Sequence, residues 1–309
     1  MKKPELLVTP LNVDGILPLA EAGADAFVVG EQRYGLRLAG EFNREDVKKA
    51  IEFAHSKGKK VYVAMNAIFH NEKIAELGDY IQFVQEAKAD AIIFGDPAVL
   101  MTAKEVAPEM KLHWNTETTG TNWYTCNYWG KKGAKRAVLA REINMDAIIE
   151  MKENAEVEIE VQVHGMSCMF QSKRSLLGNY YEYQGKVMEI ENRKMEKNMF
   201  LHDKERENKY PIFEDENGTH IMSPNDICII DELQEMLEAG VDSFKIDGIL
   251  KRPEYILAVT KAYREAIDLF VDDPDTYEDK KDELLATIEE IQPENRSLDT
   301  GFFFKETVY

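Results

Sequence analysis

The chain has 309 residues, 44% of them hydrophobic and 31% charged, which suits one large globular domain or two ordinary ones and excludes disordered and fibrous classes. Its 38 Lys and Arg against 57 Asp and Glu give a formal net charge of -19, so contact with a polyphosphate backbone requires a local basic patch or a basic partner. No apolar run reaches the roughly 18 residues of a membrane span, and the opening MKKPELLVTPLNVDG lacks the apolar stretch of a secretory signal; a cytoplasmic protein away from the membrane is expected.

Short β-branched runs alternate with amphipathic stretches of helical length, the pattern of repeated βα units around a parallel sheet. ELLVTP leads into a helix over 13–22, DAFVVG and a polar loop into 45–57, KVYVAMN into 73–87, and DAIIFG into 97–107. LHWNTE, RAVLARE, EIEVQVHG and SFKIDG supply four further strands, with helices over 122–131, 144–153 and 253–270. Eight strands in this order predict an α/β fold of the TIM-barrel-like (β/α)8 type. The rhythm breaks after the seventh strand, where aromatic and Gly/Asn punctuation favours hairpins over helices until a helix expected from about Asp226. The reading is a barrel formed by 1–165 and 226–270, a β-rich insertion after strand 7 over 166–225, and an acidic, solvated helix and tail over 271–309.

Parallel barrels host chemistry at the C-terminal ends of their strands. The polar residues there are Glu31 and Arg33 after strand two, Asn66 after three, Asp96 after four, Asn115 and Glu117 after five, Arg141 and Glu142 after six, His164 after seven, and Lys245 with Asp247 at eight. Each alone reads more readily as a cap, a turn residue or a structural ion pair. Lys245 and Asp247 share a strand face and point inward together, where charge demands partners. His164, at a sharp turn before Gly165, is placed at the mouth, as a general acid/base or ligand, or as a histidine donating to a neighbouring carbonyl.

GxSxG, HExxH, Walker A and GxGxxG signatures are absent. Cys126, Cys168 and Cys228 are far apart and suit reduced thiols; they cannot supply the four thiolates of an ordinary iron–sulfur cluster, and no metal site is assigned. Two segments, 122–136 and 172–186, interleave aromatic with basic residues as base-stacking surfaces do, although the first reads more readily as an amphipathic helix packing Trp123 and Trp129 on the barrel.

The segments YGLRLAGEF, KVYVAMN, DAIIFGDPAVL, TNWYTCNYWGKKGAKRAVLARE, EIEVQVHGMSC, MSPNDIC and AGVDSFKIDG, followed by Tyr263-Arg264, occur in the order found in the peptidase U32 family of collagenase-like proteins, which the chain resembles from near Glu5 to the GFF near its end. The resemblance implies a barrel with an inserted segment. It carries two functional expectations: proteolysis, from which the family is named, and oxygen-independent hydroxylation, with prephenate as oxygen source and an iron–sulfur cluster. Cluster-bearing relatives have several cysteines after the His-Gly turn. Here Cys168 remains but Ser175 stands at the second position, the family's FKIEGR reads FKIDGI, and its S-T-Q reads Asn115-Thr116-Glu117. The pattern resembles the short, cysteine-poor members that pair with a longer U32 protein in Gram-positive bacteria for 5-hydroxylation of the tRNA wobble uridine.

On that reading the chain binds no cofactor alone, a cluster belongs to the partner, prephenate is a co-substrate, and tRNA is met through the complex. Arg141 and Lys245 contact an anion, with Asn66, Asn115, Glu117 and Arg33 as further substrate-binding residues, while His164, Glu142 and Asp247 orient groups or handle protons. The alternatives are a peptidase using His164 with Cys168 or an adventitious metal, and a non-catalytic scaffold for the cluster-bearing partner.

Overall fold

The computed structural model describes residues 2–115, 120–186 and 199–306. Eight parallel strands close a barrel: β1 (Glu5–Val8), β2 (Ala26–Val29), β3 (Lys60–Met65), β4 (Ala91–Phe94), β5 (Leu112–Asn115), β6 (Ala134–Val138), β7 (Glu158–Ser172) and β11 (Ser243–Ile246), with β11 pairing both β7 and β1. Helices α1 (Ile16–Glu21), α2 (Arg44–Ser56), α3 (Asn71–Glu86), α4 (Pro97–Val106), α5 (Trp123–Lys131), α6 (Met145–Asn154), α8 (Gln234–Ala239) and α9 (Pro253–Asp272) surround it. Local chemistry starts these helices where the loops leave the strands. Asn43 and Asp46 form a reciprocal capping box on α2, Asp96 caps α4 ahead of Pro97, and Asn122 and Asn144 cap α5 and α6.

The barrel interior is divided in two. Leu7, Ala26, Val28, Tyr62, Ala64, Ala91 and Ile93 form an apolar cluster on the β1–β4 side. The β5–β7 and β11 side carries charge. At the N-terminal end of the barrel Arg136 donates to Glu5 (2.7 Å), Glu160 (3.2 Å) and Glu158 (2.8 Å), and its guanidinium lies 5.3 Å from the centre of the Tyr62 ring. Tyr62 and Lys60 also donate to Glu5, and His113 meets the Tyr62 ring edge-on at 4.6 Å. Burial would raise the Glu5 pKa, but Arg136, Tyr62 and Lys60 overcome it and hold the carboxyl at about 2. Burial keeps His113 neutral, at about 3.

β7 runs on beyond the barrel as the stem of the inserted segment. β10 (Gly218–Cys228) returns antiparallel to it, and β9 (Lys209–Asp215) and β8 (Phe200–His202) complete a small sheet. The tight β9–β10 turn requires Gly218, whose φ is +106° and where a Cβ would collide with the Ser172 carbonyl at 2.0 Å. Two expectations are corrected here. The insertion also contains a helix, α7 (Leu176–Tyr183), whose first N–H, that of Leu176, goes to the Thr219 hydroxyl at 2.9 Å and whose next two, Leu177 and Gly178, are taken by the Glu214 carboxylate at 2.8 and 3.0 Å. The helix expected from Asp226 begins instead at Gln234, because Asp226–Cys228 stay in the β10 ladder opposite Met166–His164.

Asp226 is fully buried and anchors the chain's later part: Lys251 pairs with it, Arg296 donates at 2.8 Å and Gln292 at 2.7 Å. The acidic segment is helical, as α10 (Pro274–Ile291), but it is not solvated all round. Tyr277, Leu284 and Ile288 bury one face, and the Tyr277 hydroxyl donates to the Ile230 carbonyl at 2.7 Å. β12 (Leu298–Asp299) then joins β10.

Removing Arg136 takes from the fully buried Glu160 the cation that pairs with it and leaves Glu5 with Lys60 alone. Arg136→Met should therefore destabilise the fold by about 3–5 kcal/mol, and adding Glu160→Gln should restore a measurable part of that loss in urea denaturation.

Candidate functional site

The mouth is shaped by one extra residue in β7. Lys245 of β11 pairs with Gln162, but the next residue, Ile246, pairs with His164, so Val163 forms a bulge that reverses the alternation of side chains. Gln162, before the bulge, points into the barrel, and His164, after it, points out. The imidazole is buried beneath α9, its Nε2 is 2.8 Å from the Tyr255 hydroxyl, and its ring meets Tyr263 edge-on at 5.6 Å. This corrects its expected place at the mouth. Burial drives its pKa down to about 3, so the ring is neutral. Gly165, with φ +106°, makes the following turn, where a Cβ would lie 2.3 Å from the Asp247 carbonyl oxygen.

Inside the mouth is a chamber of about 40 Å³ lined by Arg37, Asn66, Asn115, Arg141, Lys245 and Asp247 over a floor that includes Val28, Ala64 and Ile93. It adjoins an outer cleft of about 490 Å³, to which Leu36, Arg37, Arg141 and Cys168 also belong, walled by Ile68, His70, Glu142, Met169, Phe170 and Lys173. The insertion's stem thus forms one wall of the entrance.

Each chamber side chain is held. Lys245 Nζ lies 3.0 Å from Asp247 Oδ2, while Asp247 Oδ1 accepts the Ile249 N–H at 3.1 Å. Burial would raise the Asp247 pKa, but Lys245, Arg141 and that N–H keep it below the ordinary carboxylate value. Arg141 Nε donates to Gln162 Oε1 at 2.6 Å, and Gln162 in turn donates to the Met166 carbonyl at 3.0 Å. Arg37 is buried in a left-handed backbone conformation (φ 50°) and donates to Gln171 of the insertion stem at 3.2 Å. Its pKa is pushed down by burial and by Arg141. Asn66 accepts the Leu36 N–H at 2.9 Å and so pins the loop that carries Arg37.

Of the predicted residues, Asn66, Asn115, Arg141, Lys245 and Asp247 meet in the chamber, and Glu142 stands exposed on the cleft rim. Glu117 lies outside the described residues. Arg33 is elsewhere: it faces solvent and pairs bidentately with Glu76 of α3 at 2.6 and 2.7 Å. Glu31 pairs with Arg44, and Asp96 is the α4 cap. Sequence reading missed Arg37 and Gln162. Arg37 lay in the YGLRLAGEF segment, whereas nothing in the sequence marked Gln162 apart from its place on an alternating strand.

The thiols do not converge. Cys126 is on the buried face of α5, Cys228 is buried 3.7 Å from the Tyr263 hydroxyl, and Cys168 faces the cleft with its Sγ 3.4 Å from the Phe170 carbonyl. Burial raises the Cys126 and Cys228 thiols to about 11. Among the described residues no group of three or more His, Cys, Asp or Glu is placed to hold a metal, so these residues do not fit a cluster. His164 and Cys168 occupy different sides of the barrel wall and form no dyad.

A closed barrel whose insertion walls a polar, cation-lined mouth defines the class: a β/α-barrel protein with its site at the C-terminal end of the strands. The sequence profile of Peptidase family U32 matches residues 12–308, and the chain belongs to that family. It is 74% identical, over all of both chains, to tRNA hydroxylation protein P2 of Bacillus subtilis. It is 34% identical to the longer tRNA hydroxylation protein P1 of the same organism, over 98% of this chain and 71% of that one. A collagenase of Porphyromonas gingivalis is 30% identical over 92% of this chain and 70% of its own. Among solved structures, a dihydrodipicolinate synthase from Bacillus anthracis aligns with a TM-score of 0.52 at 7% identity, over 93% of this chain and 82% of that one, a likeness of fold alone. No helix among the described residues is long and apolar enough to cross a membrane.

The neutral, buried His164 has a pH signature. The unfolded chain takes up a proton near pH 6.5 that the folded state accepts only near pH 3, so stability is full above about 6.5 and falls on acidification toward 3. His164→Gln should remove one proton's share of that slope, about 1.4 kcal/mol per pH unit, in denaturation series between pH 6.5 and 4. His113 should retain its own share.

Proposed function

We propose that this chain is the cluster-free subunit of a cytoplasmic two-protein system that 5-hydroxylates the wobble uridine of tRNA, acting with a longer U32 paralogue. The observation that carries the reading is the gathering of Arg37, Arg141 and Lys245 around one chamber in a strongly acidic chain that is 74% identical throughout to a tRNA hydroxylation protein. The longer relative in the same organism supports the paired arrangement. The separated thiols agree with any redox cluster residing on the partner.

Such a mouth suits a carboxylate or phosphate anion. Arg141 offers a planar fork, kept in register by Gln162, while Lys245 supplies a compact charge fixed by Asp247. Asn66 and Asn115 add amide contacts, and Ile68, Met169 and Phe170 give an apolar wall for a carbon skeleton. Prephenate, a small molecule with two carboxylates, has that character. Asp247 and Glu142 are the carboxylates placed to orient a hydroxyl or accept a proton; His164 serves as packing behind the wall.

The test is a strain lacking this chain and any redundant pathway, complemented with variants and read by mass spectrometry of tRNA nucleosides. Deletion should abolish 5-hydroxyuridine derivatives that depend on the pair. Arg141→Gln and Lys245→Gln should each weaken anion binding about ten- to a hundredfold, through loss of a charge-assisted hydrogen bond worth about 1.5–3 kcal/mol, and lower the modification accordingly. Unchanged nucleosides in the deletion strain would contradict the reading, and full modification by both variants would leave this chain a scaffold.

A further inference from the structure

The segment from 118 to 141 contains no Asp or Glu, although the whole chain has 57. Helix α5 occupies its centre and divides its residues cleanly. Trp123 and Trp129 turn inward; Trp129 stacks on Trp114 at 5.3 Å and meets Phe94 edge-on at 5.8 Å. This is the packing that an amphipathic helix predicts. The outward face, however, presents Tyr124 (72% exposed) and Tyr128 (51% exposed), one helical turn apart, and then Lys131 and Lys132. Lys132 Nζ sits 5.4 Å from the centre of the Tyr128 ring. Lys135 follows on the exposed start of β6, and Lys104 of α4 reaches the intervening turn, where a Cβ on Gly133 would touch its Cε at 3.5 Å. None of these four lysines makes an ion pair among the described residues.

We propose that the outer face of α5, with Tyr124, Tyr128, Lys104, Lys131, Lys132 and Lys135, is a docking surface for looped or single-stranded RNA. The inference rests on the tRNA reading above and adds to it the place of contact. Four clustered ammonium groups attract a phosphate backbone, and two exposed tyrosine rings about 6 Å apart along the helix offer faces on which bases stack. A purely acidic protein partner would use the lysines but would have no need of the paired rings. Acidic residues bound the strip on both sides, Glu105 and Glu109 beyond α4's exposed Lys104, and Asp146, Glu150 and Glu153 on the neighbouring α6. Their charge repels a polyanion from the surfaces flanking the outer face of α5.

The experiment measures binding of a fluorescent, unmodified tRNA transcript by the full chain, alone and with its longer paralogue, across a salt series. The triple variant Lys104→Gln, Lys131→Gln, Lys132→Gln should bind at least tenfold more weakly at low salt and lower the slope of log affinity against log salt by about 2. The double variant Tyr124→Ala, Tyr128→Ala should lose about tenfold with its slope unchanged. All five positions are on the surface, and circular dichroism checks that the fold is kept. Wild-type affinity and slope in both variants would overturn the proposal, as would failure of the pair to bind tRNA. Loss of the paralogue on size exclusion with tRNA binding retained would assign the face to a protein and overturn it too. Hydroxyuridine lost on deletion while these variants bind normally would sink only this surface; hydroxyuridine kept on deletion would sink the functional reading instead.

Discussion

A barrel that encloses charge must pair it, and this requirement organises the molecule. Arg136 and its three glutamates close the N-terminal end, and polar side chains continue up the β6, β7 and β11 side through Gln162 to Lys245 and Asp247. The opposite half of the interior is left to aliphatic residues and Tyr62. The chamber among these groups opens at the C-terminal ends of the strands. There the described lining presents three cations to one carboxylate.

The bulge at Val163 links that interior to everything outside it. Gln162, just before it, faces Arg141, and the bulge sends His164 to the α9 side. From there a buried chain of contacts runs through Tyr255 and Gln292 to Asp226, Lys251 and Arg296, so the return strand of the insertion and the C-terminal segment share one anchor. Arg37, reaching across to Gln171, ties the insertion stem to the mouth itself. Entrance, stem and tail are in this way joined by contacts separate from the ion pairs at the opposite end.

Much of this was legible in the residues. Alternating β-branched runs and helix-length amphipathic stretches reveal the barrel, and counting polar residues at strand ends finds Asn66, Asn115, Arg141, Lys245 and Asp247. His164 was misplaced because that count assumes an unbroken period of two, and a bulge that shows only in the pairing of β7 with β11 breaks it. Arg33 and Arg37 lie in the same loop, and the choice between them is made by distant groups, Glu76 for the first and Asn66 and Gln171 for the loop and side chain of the second. Helix α7 escaped notice for the same reason: its cap, Glu214, lies 37 residues from Leu177. Local propensity carries no record of such partners.

On the function proposed above, the barrel mouth receives an anion. Isothermal titration calorimetry of the purified chain with small mono- and dicarboxylates and inorganic phosphate, at low and high salt, tests it most directly. One equivalent should bind to the wild type, more weakly as salt rises, and binding should be lost when Arg37 and Arg141 are both replaced by glutamine. Equal heats from the wild type and that double variant, or no binding by either, would contradict it.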